Sequence, residues 1–171
     1  MARLIFILGN PGTGKSTSLR NLKTAEVSYI TATGKELPFR SDIKANVARS
    51  MDEVQKMIVA SKKPIVVIDD VNYLFTKEVF GASEKEDKWN VYDKISKDFY
   101  KIVQTILNKE GDQNFYLMGH LEDPDSGTKL LKTLGQATRK NNNPEGWTNI
   151  VFESTVDLDS LCLRLRLMVA A

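Results

Sequence analysis

The apolar run Leu4-Ile5-Phe6-Ile7-Leu8 passes without a break into Gly9-Asn10-Pro11-Gly12-Thr13-Gly14-Lys15-Ser16. A short continuous apolar run that ends in a turn suits a strand covered on both faces, the kind found in parallel sheets layered with helices. The octapeptide after it is a complete Walker A loop, whose glycines permit positive φ and close approach of the main chain to phosphate oxygens. The spacing predicts a helix over Lys15–Lys23 that starts near Gly14 and carries Lys15 and Ser16 in its first turn. In that geometry backbone N–H groups wrap a polyphosphate, Lys15 reaches the β- and γ-phosphates, and the Ser16 hydroxyl holds Mg²⁺. The predicted cradle for a nucleoside triphosphate is therefore Asn10, Pro11, Gly12, Thr13, Gly14, Lys15, Ser16 and Thr17.

Such a loop needs a carboxylate to orient the metal and its waters. Ile65-Val66-Val67-Ile68-Asp69-Asp70 supplies one at the end of a run of β-branched residues, a Walker B pattern. Asp69 is expected beside Ser16, with both at the carboxyl edge of adjacent parallel strands. The competing role for Asp69 is capping a following helix. Asp70 either polarises the attacking water or faces solvent. Neighbours along a strand point to opposite faces, so both acids reach one site only if the chain turns at Asp69. Gly119-His120 ends a further apolar run at the same edge. His120 there either senses the γ-phosphate or is a hydrogen-bonded strand-end residue with no catalytic part.

Strands are predicted at Arg3–Leu8, Glu26–Thr31, Pro64–Ile68, Asn114–Gly119, Asn149–Glu153 and Ser160–Met168. Helical periodicity marks Met51–Ser61 and, most clearly, Asn90–Lys109, where Val91, Ile95, Phe99, Ile102, Val103 and Ile106 form one stripe. Alternating strands and helices imply an α/β fold with right-handed crossovers, a three-layer doubly wound mainly parallel sheet. Thr33–Ser50 reads as a loop with a short helix, and Gly81–Lys88 as an exposed, charged connection. The last strand sets Leu161, Leu163, Leu165 and Leu167 against Cys162, Arg164 and Arg166, which predicts a half-buried strand with an arginine-bearing outer face. Trp89 is expected to anchor the long helix.

A chain of 171 residues with 42% apolar and 27% charged residues suits one domain over 1–171 with a single core. The net charge of +2 neither demands nor excludes a nucleic-acid partner. Cys162 is the only cysteine, so no internal disulfide forms, which fits a reducing compartment. No apolar stretch approaches the ~20 residues that span a bilayer. The N-terminus lacks the design of a signal peptide. A cytoplasmic location is expected.

Ser126 to Pro144 contains no acidic residue but carries Lys129, Lys132, Arg139 and Lys140. These cations keep a loop solvated, insert into a neighbouring subunit's nucleotide site, or track a phosphate backbone. Together with the Walker motifs, four pieces carry a resemblance: Lys35-Glu36-Leu37-Pro38-Phe39-Arg40, Met118-Gly119-His120, Leu131-Lys132-Thr133-Leu134-Gly135 and Pro144-Glu145-Gly146. In this order they resemble the phage-encoded RecA-like P-loop ATPases, some of which act in recombination as single-strand annealing proteins. The resemblance covers most of the chain. It implies a RecA-like core, Mg²⁺-dependent ATP hydrolysis, action on single-stranded DNA in phage recombination or replication, and homo-oligomeric rings or filaments with ATP between subunits. It also implies that Lys132 acts in trans. Glu36 follows the second strand, where recombinase-type ATPases carry a water-activating glutamate, so it competes with Asp70 as the base. Relatives often have lysine in place of Gln136 and usually continue well past the last strand, so the C-terminal part here is either naturally short or truncated, in which case a DNA-binding or assembly element is missing.

Two other functions share these motifs. One is a P-loop kinase of a nucleotide or small metabolite, although its usual lid of several arginines is matched here by Arg139 alone. The other is a nucleotide-gated scaffold that does not hydrolyse. Trp147 either stacks on a base of single-stranded DNA or packs beside the last strands. ATP is the default nucleotide because no Asn-Lys-x-Asp guanine-reading motif is present.

Overall fold

The computed structural model describes residues 1–83, 87–122, 130–132, 144–148, 150–157 and 162–168. A seven-stranded sheet organises them. In chain order its strands are β1 (Arg3–Leu8), β2 (Val27–Thr31), β3 (Ala45–Val47), β4 (Ile65–Asp69), β5 (Asn114–Gly119), β8 (Ile150–Asp157) and β9 (Cys162–Met168). The short pair β6 (Leu121–Glu122) and β7 (Leu130–Leu131) forms a separate antiparallel ribbon. Across the main sheet the order is β3-β2-β4-β5-β1-β8-β9. Only the β8–β9 pairing is antiparallel.

Alternation along each strand splits the core in two. Leu4, Phe6 and Leu8 of β1, Val66 and Ile68 of β4, and Phe115 and Leu117 of β5 face one side. There they meet α1 (Met51–Ala60), α2 (Val71–Gly81) and α3 (Lys88–Leu107). Ile7, Val67 and Met118 face the other side, covered by Leu19 and by Leu22, Leu37, Phe39 and Ile43. The layering follows from handedness. The chain crosses the sheet in one direction from β1 to β2 and in the opposite direction from β3 to β4 and from β4 to β5. Right-handed crossovers therefore put α1, α2 and α3 together on one face. Ser50 caps α1 by accepting from the Glu53 N–H at 3.3 Å.

Several expectations are corrected. The helix predicted over Lys15–Lys23 is a single 3₁₀ stretch, Ser16–Asn21, with Lys15 at its N-cap. Thr33–Ser50 holds no helix and instead contributes β3, parallel to β2 at the sheet edge. Helix α2 was not predicted, because residues 71–81 show little amphipathic periodicity: α2 buries Val71, Leu74 and Phe75 yet leaves Phe80 84% exposed. Trp89 lies in the first turn of α3 and is 71% exposed, so it is not an anchor for the helix among the described residues. Strand β8 runs four residues beyond its predicted end, from Glu153 to Asp157. On β9 the leucine face is not buried: Leu163, Leu165 and Leu167 are all exposed. Trp147 packs edge-on to Tyr100 at 5.4 Å and tilts against Phe99 at 6.0 Å, so it belongs to the core. Glu84, Lys85, Glu86, Lys129, Thr133–Gly135, Gln136, Arg139 and Lys140 lie outside the described residues.

Candidate active site

Parallel strands deliver their carboxyl ends to one edge, and the loop residues sit there. Gly12 (φ 80°) and Gly14 (φ 86°) take the left-handed conformation that turns the loop back over the end of β1. The loop is pinned from outside by β8: the Ser154 hydroxyl, itself buried, donates to the Thr13 carbonyl. Lys15 is only 7% exposed, and its Nζ donates to Gly9 O at 2.7 Å and Asn10 O at 3.0 Å. Burial lowers its pKa, while the charges of Asp69 and Asp70 pull the other way.

Ser16 Oγ donates to Asp69 Oδ2 at 2.7 Å, which puts hydroxyl and carboxylate together as expected. The reason expected was wrong. β1 and β4 are not adjacent, because β5 lies between them. The interposed strand brings Gly119 and His120 to the edge between the phosphate loop and the acids. Asp69 is 2% exposed and accepts two further bonds, from Tyr29 Oη at 2.9 Å and from the Asp70 N–H at 2.9 Å. Burial raises its pKa, and the Ser16 bond partly opposes that. Burial also raises the Tyr29 phenol, so Tyr29 stays a proton donor to the carboxylate.

The chain does turn at the acids. Asp70 has φ 59° and ψ 40° and precedes α2. A non-glycine residue there is uncommon, and such conformations gather at functional sites. The turn keeps both carboxylates on the same cavity wall, with Asp70 Oδ2 accepting from Thr33 Oγ1 at 3.1 Å. Glu36 also lines this cavity, from an exposed position beside Lys35, whose Nζ stands 5.4 Å over the Tyr73 ring.

His120 completes the wall. Its ring meets Tyr73 edge-on at 6.1 Å and bonds the main chain of Gly9. Its Nδ1 is buried with no hydrogen-bond partner among the described residues. Burial, then the nearby positive charges of Lys15 and Lys132, lower its pKa. Asn72 holds this strand end: Oδ1 accepts from the His120 N–H at 2.6 Å, and Nδ2 donates to the Lys132 carbonyl. Lys132 itself has an exposed side chain, with its N–H bonded to His120 O at 2.8 Å. It therefore lies beside its own chain's site.

The cavity, about 460 Å³, brings together Pro11, Gly12, Gly14, Lys15, Ser16, Thr17, Asp69, Asp70, Glu36 and His120. Asn10 and Thr13 shape the loop instead, through Thr13 Oγ1 bonded to Asn10 O at 2.8 Å. Tyr29, Thr33, Asn72 and Ser154 escaped the sequence reading. None carried a local signal: Tyr29, for example, meets Asp69 across 40 positions of sequence.

Among the described residues no three His, Cys, Asp or Glu side chains cluster as a metal site. Ser16 and Asp69 nonetheless fit Mg²⁺, which takes hard oxygen ligands, keeps several waters, and is commonly completed by substrate phosphates.

A Walker A loop at the end of a central parallel strand, an acid at hydrogen-bonding distance from its serine, and a three-layer RecA-like α/β core define a P-loop nucleotide-binding protein. The chain belongs to the ATPase family associated with various cellular activities (AAA), whose model matches residues 5–144. Among solved structures it is similar to the flagellar accessory protein FlaH from Methanocaldococcus jannaschii, with a TM-score of 0.56 and 14% identity over 98% of this chain and 78% of that one. That likeness is one of fold. No curated protein matches this sequence. No described helix is long and apolar enough to cross a membrane.

Proposed function

We propose that this AAA-family chain is a Mg²⁺-dependent ATPase whose turnover is coupled to single-stranded DNA, the setting being the phage recombination or replication that the sequence resemblance implies. The supporting observation is the 2.7 Å contact between Ser16 Oγ and Asp69 Oδ2 on the wall of a cavity that also holds Lys15 and Asp70. In this reading the loop from Asn10 to Thr17 binds the triphosphate, Lys15 bridges the β- and γ-phosphates, and Ser16 and Asp69 hold the metal. The bound ion neutralises charge that develops on the phosphate oxygens. Asp70, held by Thr33, polarises the attacking water, and Glu36 at the exposed rim is the rival that an E36Q variant tests.

Coupling to DNA runs through one short piece of chain. His120 leads directly into β6, β6 pairs with β7, and Lys132 follows β7 with its backbone bonded back to His120 and Asn72. Tension on the basic segment that contains Lys132 is thus transmitted to the residue facing the γ-phosphate. Subunits assemble in a ring or filament in which Lys132 also reaches a neighbour's nucleotide.

Phosphate release measured with and without single-stranded DNA tests the proposal, with Lys15→Ala as the inactive control. Stimulation by DNA is expected. Transfer to an added acceptor instead of water makes the protein a kinase, and tight binding with negligible turnover makes it a gated scaffold.

A further inference from the structure

Asn72 stands in the first turn of α2, two residues after the left-handed Asp70, yet it does not line the cavity that Asp69, Asp70 and Tyr73 line. Its amide instead enters the β6–β7 ribbon. The register of that ribbon, Leu121 opposite Leu131 and Glu122 opposite Leu130, sets His120 opposite Lys132. Facing residues of a hydrogen-bonded antiparallel pair exchange both of their N–H···O bonds. Here one is made directly, from the Lys132 N–H to His120 O at 2.8 Å. The other is intercepted: Asn72 Oδ1 accepts from the His120 N–H at 2.6 Å, and Asn72 Nδ2 donates to the Lys132 carbonyl. We infer that Asn72 is a positioning residue for hydrolysis, a wedge that holds the His120 main chain against the turn carrying Asp70.

This inference rests on the reading of His120 as a participant in hydrolysis. The histidine ring depends on its backbone for its place. It bonds the main chain of Gly9, the first residue of the loop, and meets Tyr73, the neighbour of Asn72 on α2, edge-on at 6.1 Å. The strand end seats closely on α2: a Cβ on Gly119 would stand 3.0 Å from Asn72 Oδ1 and 3.2 Å from Val71 Cγ1. Glycine at 119 thus leaves room for the amide to reach the ribbon. An asparagine amide carries an acceptor and a donor side by side, which the two interrupted main-chain groups require. Without that amide, the His120 N–H and the Lys132 carbonyl are left to bond each other. The ribbon then closes, the histidine main chain leaves α2, and its ring leaves the wall it shares with Asp70. Neither main-chain group is orphaned by the closure, so the fold survives the loss of the amide.

Turnover and ATP affinity are measured for Asn72→Ala in the wild-type and His120→Ala backgrounds. In the wild-type background the change is expected to slow turnover about tenfold or more and to leave ATP affinity within about twofold. In the His120→Ala background it is expected to alter turnover by less than about twofold, because the group it places is already gone. His120 is the chain's only histidine, so one imidazole resonance in tag-free protein follows its titration by NMR. That midpoint, held below the ordinary value by burial beside Lys15, Asp70 and Lys132, is expected to rise in Asn72→Ala as the ring gains water. Asn72→Asp keeps the acceptor for the His120 N–H and loses only the donor to Lys132, so its turnover is expected within about threefold of wild type. Unchanged turnover in Asn72→Ala, equal slowing in both backgrounds, an unmoved midpoint, or a tenfold loss in Asn72→Asp would each overturn the inference while the reading of His120 stands. If His120→Ala alone leaves turnover unchanged, that reading fails and takes this one with it.

Discussion

Replacing Tyr29 by phenylalanine removes one hydroxyl from a buried position and changes nothing else in volume beyond that oxygen. Tyr29 is 3% exposed, its partner Asp69 is 2% exposed, and the bond between them is 2.9 Å. Little space is left for a water to replace the hydroxyl, so Asp69 Oδ2 keeps only Ser16 as a donor. Hydrogen bonds to charged groups contribute about 1.5–3 kcal/mol, and the loss here is set at about 2 kcal/mol at neutral pH. For a domain of this size that lowers Tm by about 4–8 °C. Burial raises the Asp69 pKa above the ordinary 3.8. The stability this group contributes is therefore complete below that value and lost as pH rises through the folded-state pKa. Ionised Asp69 costs stability at neutral pH, and the Tyr29 hydroxyl offsets part of that cost. The deficit of Tyr29→Phe is thus largest near neutrality and shrinks on acidification. Urea denaturation at several pH values reads it as a lower midpoint with an unchanged slope. A loss below about 0.5 kcal/mol at pH 7, the size typical of surface changes, would refute the reasoning.

Asp69→Asn separates metal binding from folding: the Ser16 and Tyr29 hydroxyls can turn to accept from an amide, so stability stays within about 1 kcal/mol while the Mg²⁺ dependence of nucleotide affinity disappears. Retained Mg²⁺-dependent binding, checked by titration with and without the ion, would remove Asp69 from the metal site. His120→Ala should leave ATP affinity within about threefold and cut turnover by at least about a hundredfold, and unchanged turnover would exclude His120 from the mechanism. Because burial lowers the His120 pKa below 6.5, its contribution to stability is complete above pH 6.5 and is lost as pH falls through the depressed value. Wild type should therefore lose more stability than His120→Ala between pH 6.5 and 5, and parallel losses in acid denaturation would contradict the assignment. Mixing Lys132→Ala with Lys15→Ala protein should recover part of the activity, and no recovery in mixtures shown to co-assemble would exclude Lys132 from acting in trans.

The phosphate loop and the two strand ends were legible because each is a local signal, a run of apolar residues that stops at a chemically distinctive group. Ser16 and Asp69 are 53 residues apart, and their contact followed from knowing only that both strands end at one edge. Strand order was not legible, since nothing local to Ile65–Asp69 says that β5 intervenes. Helix α2 was hidden for a different reason: it follows an αL aspartate with no side-chain cap and carries an exposed phenylalanine, Phe80, in its last turn, so neither its start nor its stripe stands out. The 3₁₀ stretch after the loop reflects a short segment, Ser16–Asn21, in which only Leu19 is buried to reward a longer helix. The exposed leucines of β9 mimic the alternation of a half-buried strand, and alternation alone cannot say whether a face finds a partner. Tyr29, Asn72 and Ser154 act through bonds to residues 40, 48 and 141 positions away, distances at which sequence pattern carries no signal.

Equilibrium dialysis of labelled ATP tests the central claim most directly, with wild-type and Lys15→Ala protein each measured in the presence and absence of Mg²⁺. Saturable uptake by the wild type, strengthened by the ion and lost when Lys15 is removed, is the expected result. Folded wild-type protein that takes up no ATP at millimolar nucleotide and Mg²⁺, or takes it up equally without Lys15, would contradict it.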